Sequence, residues 1–245
     1  MSTDGNNLFR VVPGPPKLAL PGLLPVYELY VRAGAELLEQ PGPLEAELWL
    51  SAQLGELSQA APDREALGKA QSDLIKVLRR AGTPGARAFL AVFAAVGPHE
   101  HRAAAAKAVG ELRGPLLPPL PSWADDAGKA IAVDACSIQD GTLDRLQYVV
   151  EYRYPDGSGH HGLSVSLSAG LPVQIVVIGD MMGMRSELRK VLEEGEVVVS
   201  ALPLPIAAGI LRPAFGELAT VPHAELTGPF HANLLFAEHR LSLLS

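Results

Sequence analysis

Five side chains in the second half of the 245-residue chain are of types that perform acid–base or nucleophilic chemistry. They are Asp134, Cys136, Asp156, His160 and Asp180. A thiol, a histidine base and an orienting carboxylate form the minimum set for nucleophilic catalysis, and the same groups can bind a small ligand. No Gly-x-Ser-x-Gly motif accompanies them. The five residues are therefore candidate ligand-binding residues, and the sequence assigns no catalytic residue.

Asp180 lies between two glycines in the segment Ile178-Gly179-Asp180-Met181-Met182-Gly183, which follows an apolar run. A strand that leads through a glycine turn into a helix can hold a phosphate on the helix amides. This run lacks the Lys-Ser/Thr pair of a P-loop, and a carboxylate at the turn would repel an anion. We therefore expect Asp180 to cap a helix, with ligand binding as the alternative.

The seven histidines do not show the spacing of metal ligands. His160 and His161 are adjacent on a predicted strand, so their side chains should point to opposite faces. His231 and His239 are eight residues apart and could share a helix face, yet ligand sets normally show tighter spacing. We predict neither a metal nor a cofactor.

Composition and charge exclude several classes of protein. With 48% hydrophobic and 19% charged residues, the chain is too apolar for a disordered protein. No apolar run reaches the roughly 18–20 residues that span a bilayer, and the N-terminus is polar, so we expect a cytoplasmic protein without a membrane segment. Residues 123–245 hold 8 Lys plus Arg against 15 Asp plus Glu, so we do not expect nucleic acid as a partner.

The first half of the chain predicts helices. Residues 1–25 contain five prolines without helical periodicity and are predicted to form a tail. Apolar residues then recur at helical spacing, and Pro41-Gly42-Pro43 and Thr83-Pro84 mark helix boundaries. Four to five antiparallel helices should form a helical domain over residues 26–113. The proline-rich residues 114–122 are predicted to be a linker.

The hydrophobic period changes to two after this linker. Tyr148, Val150, Tyr152 and Tyr154 are predicted to lie on one face of a strand, with Val149, Glu151 and Arg153 on the other. Pro155–Gly159 has the composition of a turn. The predicted strands cover residues 130–138, 146–154, 160–168 and 171–178, and the predicted helices cover residues 185–194, 205–215 and 231–244. The fold class is therefore α+β: the helical domain is followed, over residues 123–245, by an acidic domain in which helices cover a small antiparallel β-meander.

Three segments resemble a group of uncharacterised proteins from high-GC Gram-positive (actinobacterial) bacteria. They are Leu44–Ser51, Thr83–Leu90 and the hairpin Glu151–Val165. The resemblance implies cytoplasmic residence and the same domain order. Members of the group often carry Asp-His-Asn and a Gly pair after the third strand, where this chain has Ile178–Gly183. Any role of that histidine and asparagine therefore does not transfer.

The lack of a specific catalytic or metal spacing favours a binding or regulatory module that acts through protein–protein contacts. Its partner would be another protein or a second copy of the chain. The alternative is a hydrolase-like or small-ligand-binding α+β domain with a site near Cys136, His160 and Asp180.

Overall fold

The computed structural model describes residues 16–112, 117–140, 146–195, 197–218, 221 and 228–244. The α-helices of this part are α1 (Leu24–Ala33), α2 (Pro43–Ala60), α3 (Arg64–Ala81), α4 (Pro84–Val96), α5 (His99–Glu111), α6 (Met181–Glu194), α7 (Leu204–Leu218) and α8 (Gly228–Ser242). The strands are β1 (Ile131–Asp140), β2 (Leu146–Arg153), β3 (His161–Ser168), β4 (Leu171–Ile178) and β5 (Val197–Ala201). None of the helices described is long and apolar enough to cross a membrane.

Local capping signals set the boundaries of the N-terminal helices. The Asp63 carboxylate accepts a hydrogen bond from the Ala66 amide at 2.8 Å, and the Thr83 hydroxyl accepts from the Ala86 amide at 3.1 Å. Gly82 ends α3 with a φ of 61°, a backbone conformation that glycine adopts without steric cost. The helix boundaries predicted at Pro41-Gly42-Pro43 and Thr83-Pro84 are confirmed, since α2 begins at Pro43 and α4 at Pro84.

Helices α1–α5 enclose the first of two apolar cores. Its largest fully buried members are Tyr27, Leu37, Leu50, Leu74, Leu78, Phe89, Leu90 and Phe93. Residues 16–25 of the predicted tail contact this core, because Leu20 packs against it and donates its amide to Asp73 at 2.7 Å. Trp123 and Ala127, which follow the predicted linker, are also buried in it. Residues 1–15 and 113–116, which hold the rest of the tail and part of the linker, lie outside the described residues.

The five strands form one antiparallel sheet in the order β4-β3-β2-β1-β5. Strands β1 to β4 are the predicted meander, and β5 joins it beside β1. Tyr148, Val150, Tyr152 and Tyr154 are buried on one face, as their alternation predicted. Helices α7 and α8 cover this face and complete the second core. The α+β fold class is thereby confirmed.

The C-terminal helix α8 packs on α2 and joins the two cores. The Ser51 hydroxyl donates to the Ala232 carbonyl at 2.6 Å and accepts from the Phe236 amide at 3.1 Å. At Gly55 the helices approach so closely that a Cβ atom would lie 2.5 Å from the His231 carbonyl oxygen. The predicted division at residues 114–122 stays a prediction, since the two predicted domains share this contact.

Candidate functional site

The opposite face of the sheet holds a polar cavity of about 260 Å³, which we call the Glu151 cavity. It is lined by Val133, Asp134, Glu151, Arg153, Gly157, His160 and Arg185. Its residues come from β1, β2, the hairpin turn and α6, since Asp134 lies beside Glu151 in the β1–β2 register. Helix α6 crosses this face on its way from β4 to β5, so its first turns form one wall of the cavity.

Glu151 is the electrostatic centre of this cavity. Its side chain is 10% exposed, and its two carboxylate oxygens accept from Arg185 Nη2 at 2.6 and 2.7 Å. His160 Nε2 donates to the same carboxylate at 3.0 Å. A buried carboxylate needs such partners, because an uncompensated charge would be costly to desolvate. Glu151 therefore holds His160 and α6 against the sheet.

The structure brings two of the five sequence-predicted residues into the Glu151 cavity and a third close to it. Asp134 and His160 line the cavity. Cys136 lies two residues after Asp134 on β1 and is half-buried, and Glu151 and Asp134 both act on it electrostatically. Asp134 and Cys136 share one face of the sheet, because side chains two apart on a strand point the same way. His160 reaches this face through its bond to Glu151.

Asp156 and Asp180 have local structural roles away from this cavity. Asp156 accepts the Ser158 amide at 2.8 Å in the hairpin turn, and its hydrogen bonds with Ser158 lower the pKa of the carboxyl. Asp180 accepts the Gly183 amide at 2.8 Å and caps α6. Because of this cap, α6 begins at Met181 rather than near residue 185. The expected capping role of Asp180 is confirmed.

Cys136 is poorly suited to be a nucleophile. Burial, together with the negative charges of Glu151 and Asp134, raises the pKa of the thiol, while Arg185 acts weakly in the opposite direction. The reactive form of cysteine is the thiolate, and a raised pKa depletes it at neutral pH. Within the described residues, no three His, Cys, Asp or Glu side chains are arranged to hold a metal ion. The cavity is therefore better suited to binding than to covalent catalysis.

A buried polar network around Arg240 was not anticipated from the sequence. Arg240 is fully buried in α8, and its Nη2 donates to Glu47 of α2 at 2.5 Å and to the Tyr154 hydroxyl at 2.9 Å. Its Nε donates to His161 Nε2 at 2.9 Å, which leaves His161 Nδ1 to donate to the Gly159 carbonyl at 2.5 Å. These bonds assign the neutral tautomer of His161. The network ties α8 to α2 and to the sheet.

Aromatic rings enclose the Arg240 guanidinium. Its central carbon lies 4.3 Å from the Phe236 ring centroid and 5.7 Å from those of Tyr152 and Tyr154. Rings at these distances stabilise a cation. Because these rings and the hydrogen-bond partners of Arg240 are buried, Arg240 has a structural role in holding α8 in place.

The outer edge of β4 is a second candidate site. Its sequence, Leu-Pro-Val-Gln-Ile-Val-Val-Ile, carries no charged side chain, and Val173 and Val176 are 49% and 39% exposed. Among the residues that the structure describes, only β3 pairs with this strand. An uncharged outer strand with exposed valines offers a template for pairing with another chain.

The backbone of β4 points the N–H and C=O groups of alternate residues to that outer side. Asn233 of α8 donates to the Ile175 carbonyl at 3.1 Å, so this carbonyl points away from β3. Alternate residues of a strand point their backbone groups to the same side, which directs those of Val177 outward as well. An independent hydrogen bond supports this direction. The Leu202 amide donates to the Ala135 carbonyl, so the backbone groups of Ala135 point away from β2. Ala135 is in register with Val150, Leu163 and Val177 in turn, and this order directs the backbone groups of Val177 away from β3.

An apolar groove of about 520 Å³ runs beside this edge, and we call it the β4 groove. Beyond β4 itself, its walls are Leu48 and Ala52 of α2 and Pro229, Phe230, Ala232 and Asn233 of α8. No charged residue lines it. A strand edge beside a helix-walled groove can accept an extended peptide, whose alternate side chains enter the groove.

Comparisons with known proteins gave no relative for this chain: no family model, no curated protein and no solved structure matches it. The resemblance to actinobacterial proteins therefore stays an interpretation of three short segments.

Proposed function

We propose that the protein is a binding module that accepts an extended segment of a partner protein as an added strand on β4. The observation that carries this proposal is the outward backbone of Ile175 and Val177 beside the uncharged β4 groove. Main-chain hydrogen bonds give affinity in this mode of recognition, and side-chain pockets give specificity.

The chemistry of the groove defines the partner segment. Its walls are leucine, alanine, proline and phenylalanine with one asparagine, so alternate residues of the segment should be small or medium apolar side chains. A charged residue at these positions would lose its hydration without gaining a counter-charge. The partner is therefore an uncharged, alternating, extended segment rather than an acidic or basic one.

The other outer strand, β5, is a weaker candidate for this role. It has five residues against eight in β4, and its Val198 is 62% exposed. Fewer backbone groups would form fewer main-chain hydrogen bonds with an added strand and give less affinity. Val198 is therefore a suitable control position for variants of β4.

The proposal is tested with a synthetic peptide of alternating valine and threonine flanked by lysines, titrated against the folded full chain. Fluorescence anisotropy should show saturable binding to the wild type and to Val198→Lys. Binding to Val176→Lys should be at least about tenfold weaker, because a lysine on an outer strand opposes strand addition. Equal binding to all three proteins, or none to the wild type at a concentration where it is monomeric, would refute the proposal.

A second candidate function is the binding of a small polar ligand in the Glu151 cavity. The supporting observation is that Asp134, His160 and Arg153 line one cavity and supply groups of both signs, which suits a small zwitterion. Native mass spectrometry of the protein isolated gently from its host should then show an added mass below about 1 kDa that an Arg153→Ala variant loses. Recovery of both proteins with no added mass would remove this candidate.

We also propose that the protein resides in the cytoplasm and does not bind nucleic acid. The single cysteine suits a reducing compartment, and the excess of acidic residues over 123–245 would repel phosphates. A fusion with a redox-sensitive fluorescent protein tests the compartment. Filter binding of the purified chain to single- and double-stranded DNA, with no retention expected, tests the second point.

A further inference from the structure

We infer that in the isolated protein the strand added to β4 is β4 of a second copy of the chain. This inference rests on the proposed function, because it requires the same outer edge to accept a strand. It names an occupant whose chemistry matches the site, since β4 is itself extended, apolar and uncharged.

The protection of this edge lies within the first five residues of the strand, Leu171–Ile175. Outer strands usually avoid self-pairing through prolines, bulges, charged residues or covering elements. In β4, Pro172 and a bulge in the pairing with β3 lie near the start, and the Asn233 side chain covers the Ile175 carbonyl. The outward groups of Val177 have no such cover within the described residues. The unprotected part of the edge therefore begins after Ile175 and presents the outward groups of Val177.

A two-fold axis at Val176 gives a self-consistent pairing. In an antiparallel arrangement about this axis, Val176 of each copy faces its counterpart, and Ile175 of one copy faces Val177 of the other. Ile175 and Val177 are the residues whose backbone groups point outward, so the pairing forms main-chain hydrogen bonds across the axis. The Ile175 carbonyl retains a second lone pair beside its bond from Asn233.

The net negative charge of the chain weakens the association of two copies without preventing it. Each copy carries a formal net charge of −7, so two copies repel each other at long range. The paired strands themselves contribute no charge. Salt screens the long-range repulsion, so the dimer should become tighter as ionic strength rises. An interface held by surface ion pairs would respond in the opposite direction.

Self-pairing also gives a simple mode of regulation for the proposed function. A dimer joined through β4 hides the edge that a partner segment would use, so a partner must compete with the second copy. The fraction of available edges then falls as the protein concentration rises.

Sedimentation velocity of the full-length protein over a range of concentrations tests this inference. The wild type and Val198→Lys should show a concentration-dependent monomer–dimer equilibrium that shifts toward dimer in higher salt. Val176→Lys places two lysines opposite each other across the axis and should raise the dimer dissociation constant at least about tenfold. Val176→Thr, which keeps an uncharged β-branched side chain, should dimerise like the wild type.

Val177→Pro provides an independent test, because it removes one outward N–H without removing a hydrogen bond to β3. Circular dichroism of each variant verifies that the fold is retained. A wild type that stays monomeric throughout, or a dimer that survives both Val176→Lys and Val177→Pro, would overturn the inference. If the monomeric wild type still binds the valine–threonine peptide, the proposed function stands and only the second copy is excluded.

Discussion

Asn233 in α8 donates its side-chain amide to the carbonyl oxygen of Ile175 in β4 at 3.1 Å. This bond sets the spacing between the helix and the outer strand, and with it the width of the β4 groove. Helix α8 is in turn held by the buried pair of Arg240 and Glu47 and by its close contact with α2 at Gly55. The stability of the α2–α8 contact and the shape of the groove are therefore linked.

Removal of the buried counter-charge of Arg240 should destabilise the protein strongly. Glu47→Ala leaves a fully buried guanidinium without its carboxylate, and such losses cost about 3–5 kcal/mol. Chemical denaturation should show this decrease in the free energy of unfolding. The additional substitution Arg240→Met should recover part of it, because the uncompensated charge is then absent.

The control for this prediction is Glu65→Ala, which breaks the exposed pair with Lys69. Exposed ion pairs contribute little to stability, so this variant should unfold at nearly the wild-type denaturant concentration. A Glu47→Ala variant as stable as Glu65→Ala would contradict the structural role assigned to Arg240.

The close approach of α2 and α8 should make Gly55 intolerant of a side chain. In Gly55→Ala the new Cβ would lie 2.5 Å from the backbone oxygen of His231, so the helices must separate. We expect the free energy of unfolding to fall by about 1–3 kcal/mol and the β4 groove to bind the peptide more weakly. Gly209→Ala in α7 is the matched control, since its Cβ meets nothing within 4 Å. The free energy of unfolding of Gly209→Ala should rise by about 0.5–1 kcal/mol. Equal decreases in both variants would contradict the prediction.

Two buried histidines should make the stability of the fold depend on pH. Burial and the positive charge of Arg240 lower the pKa of His161 and of His239 from the usual 6.5 to about 3. At pH values between about 3 and 6.5 the unfolded chain binds more protons than the folded one. The contribution of the neutral histidines to the free energy of unfolding is therefore complete above pH 6.5 and declines as the pH falls. The decline is at most about 1.4 kcal/mol per pH unit for each histidine.

Urea denaturation from neutral pH to about pH 4.5 measures this dependence. The network predicts a midpoint that falls steadily over the range. A free energy of unfolding that stays constant between neutral and mildly acidic pH would show that these imidazoles are not held neutral in the folded protein.

The single cysteine reports on the electrostatics of the Glu151 cavity. Burial and the charges of Glu151 and Asp134 raise the pKa of Cys136, so alkylation by iodoacetamide should reach its half-maximal rate at a higher pH than for a free cysteine. Glu151→Gln removes the negative charge that raises this pKa most, so the half-maximal rate should be reached at a lower pH. Glu187→Gln, on the exposed side of α6, should leave the profile unchanged. The prediction fails if the wild-type profile matches that of a free thiol.

Much of the fold was predictable because its signals are local. The Asp63 and Thr83 caps act within three residues, and the alternation of tyrosines in β2 reports directly which face is buried. Such features depend on neighbouring residues alone. Helix boundaries and strand faces therefore followed from periodicity and capping.

The sites depend on contacts between distant parts of the chain, and the sequence carries little signal for them. Glu47 and Arg240 are 193 residues apart, and each stands in an ordinary helical segment. The outer position of β4 depends on β5 pairing with β1 at the other end of the sheet, which no local pattern indicates. Glu151 gave the one available signal, a carboxylate inside an alternating strand. Its partner Arg185, 34 residues later, became evident only in the fold.

Amide hydrogen exchange at Val177, followed by NMR with and without the valine–threonine peptide, tests the strand-addition proposal most directly. The wild type is kept at a concentration low enough for the monomer to predominate. The outward amide of Val177 should exchange rapidly alone and become protected on adding peptide, while the inward amide of Val176 should be protected throughout by its pairing with β3. Protection that appears elsewhere in the chain and leaves Val177 unchanged would contradict the assignment of the binding site to β4.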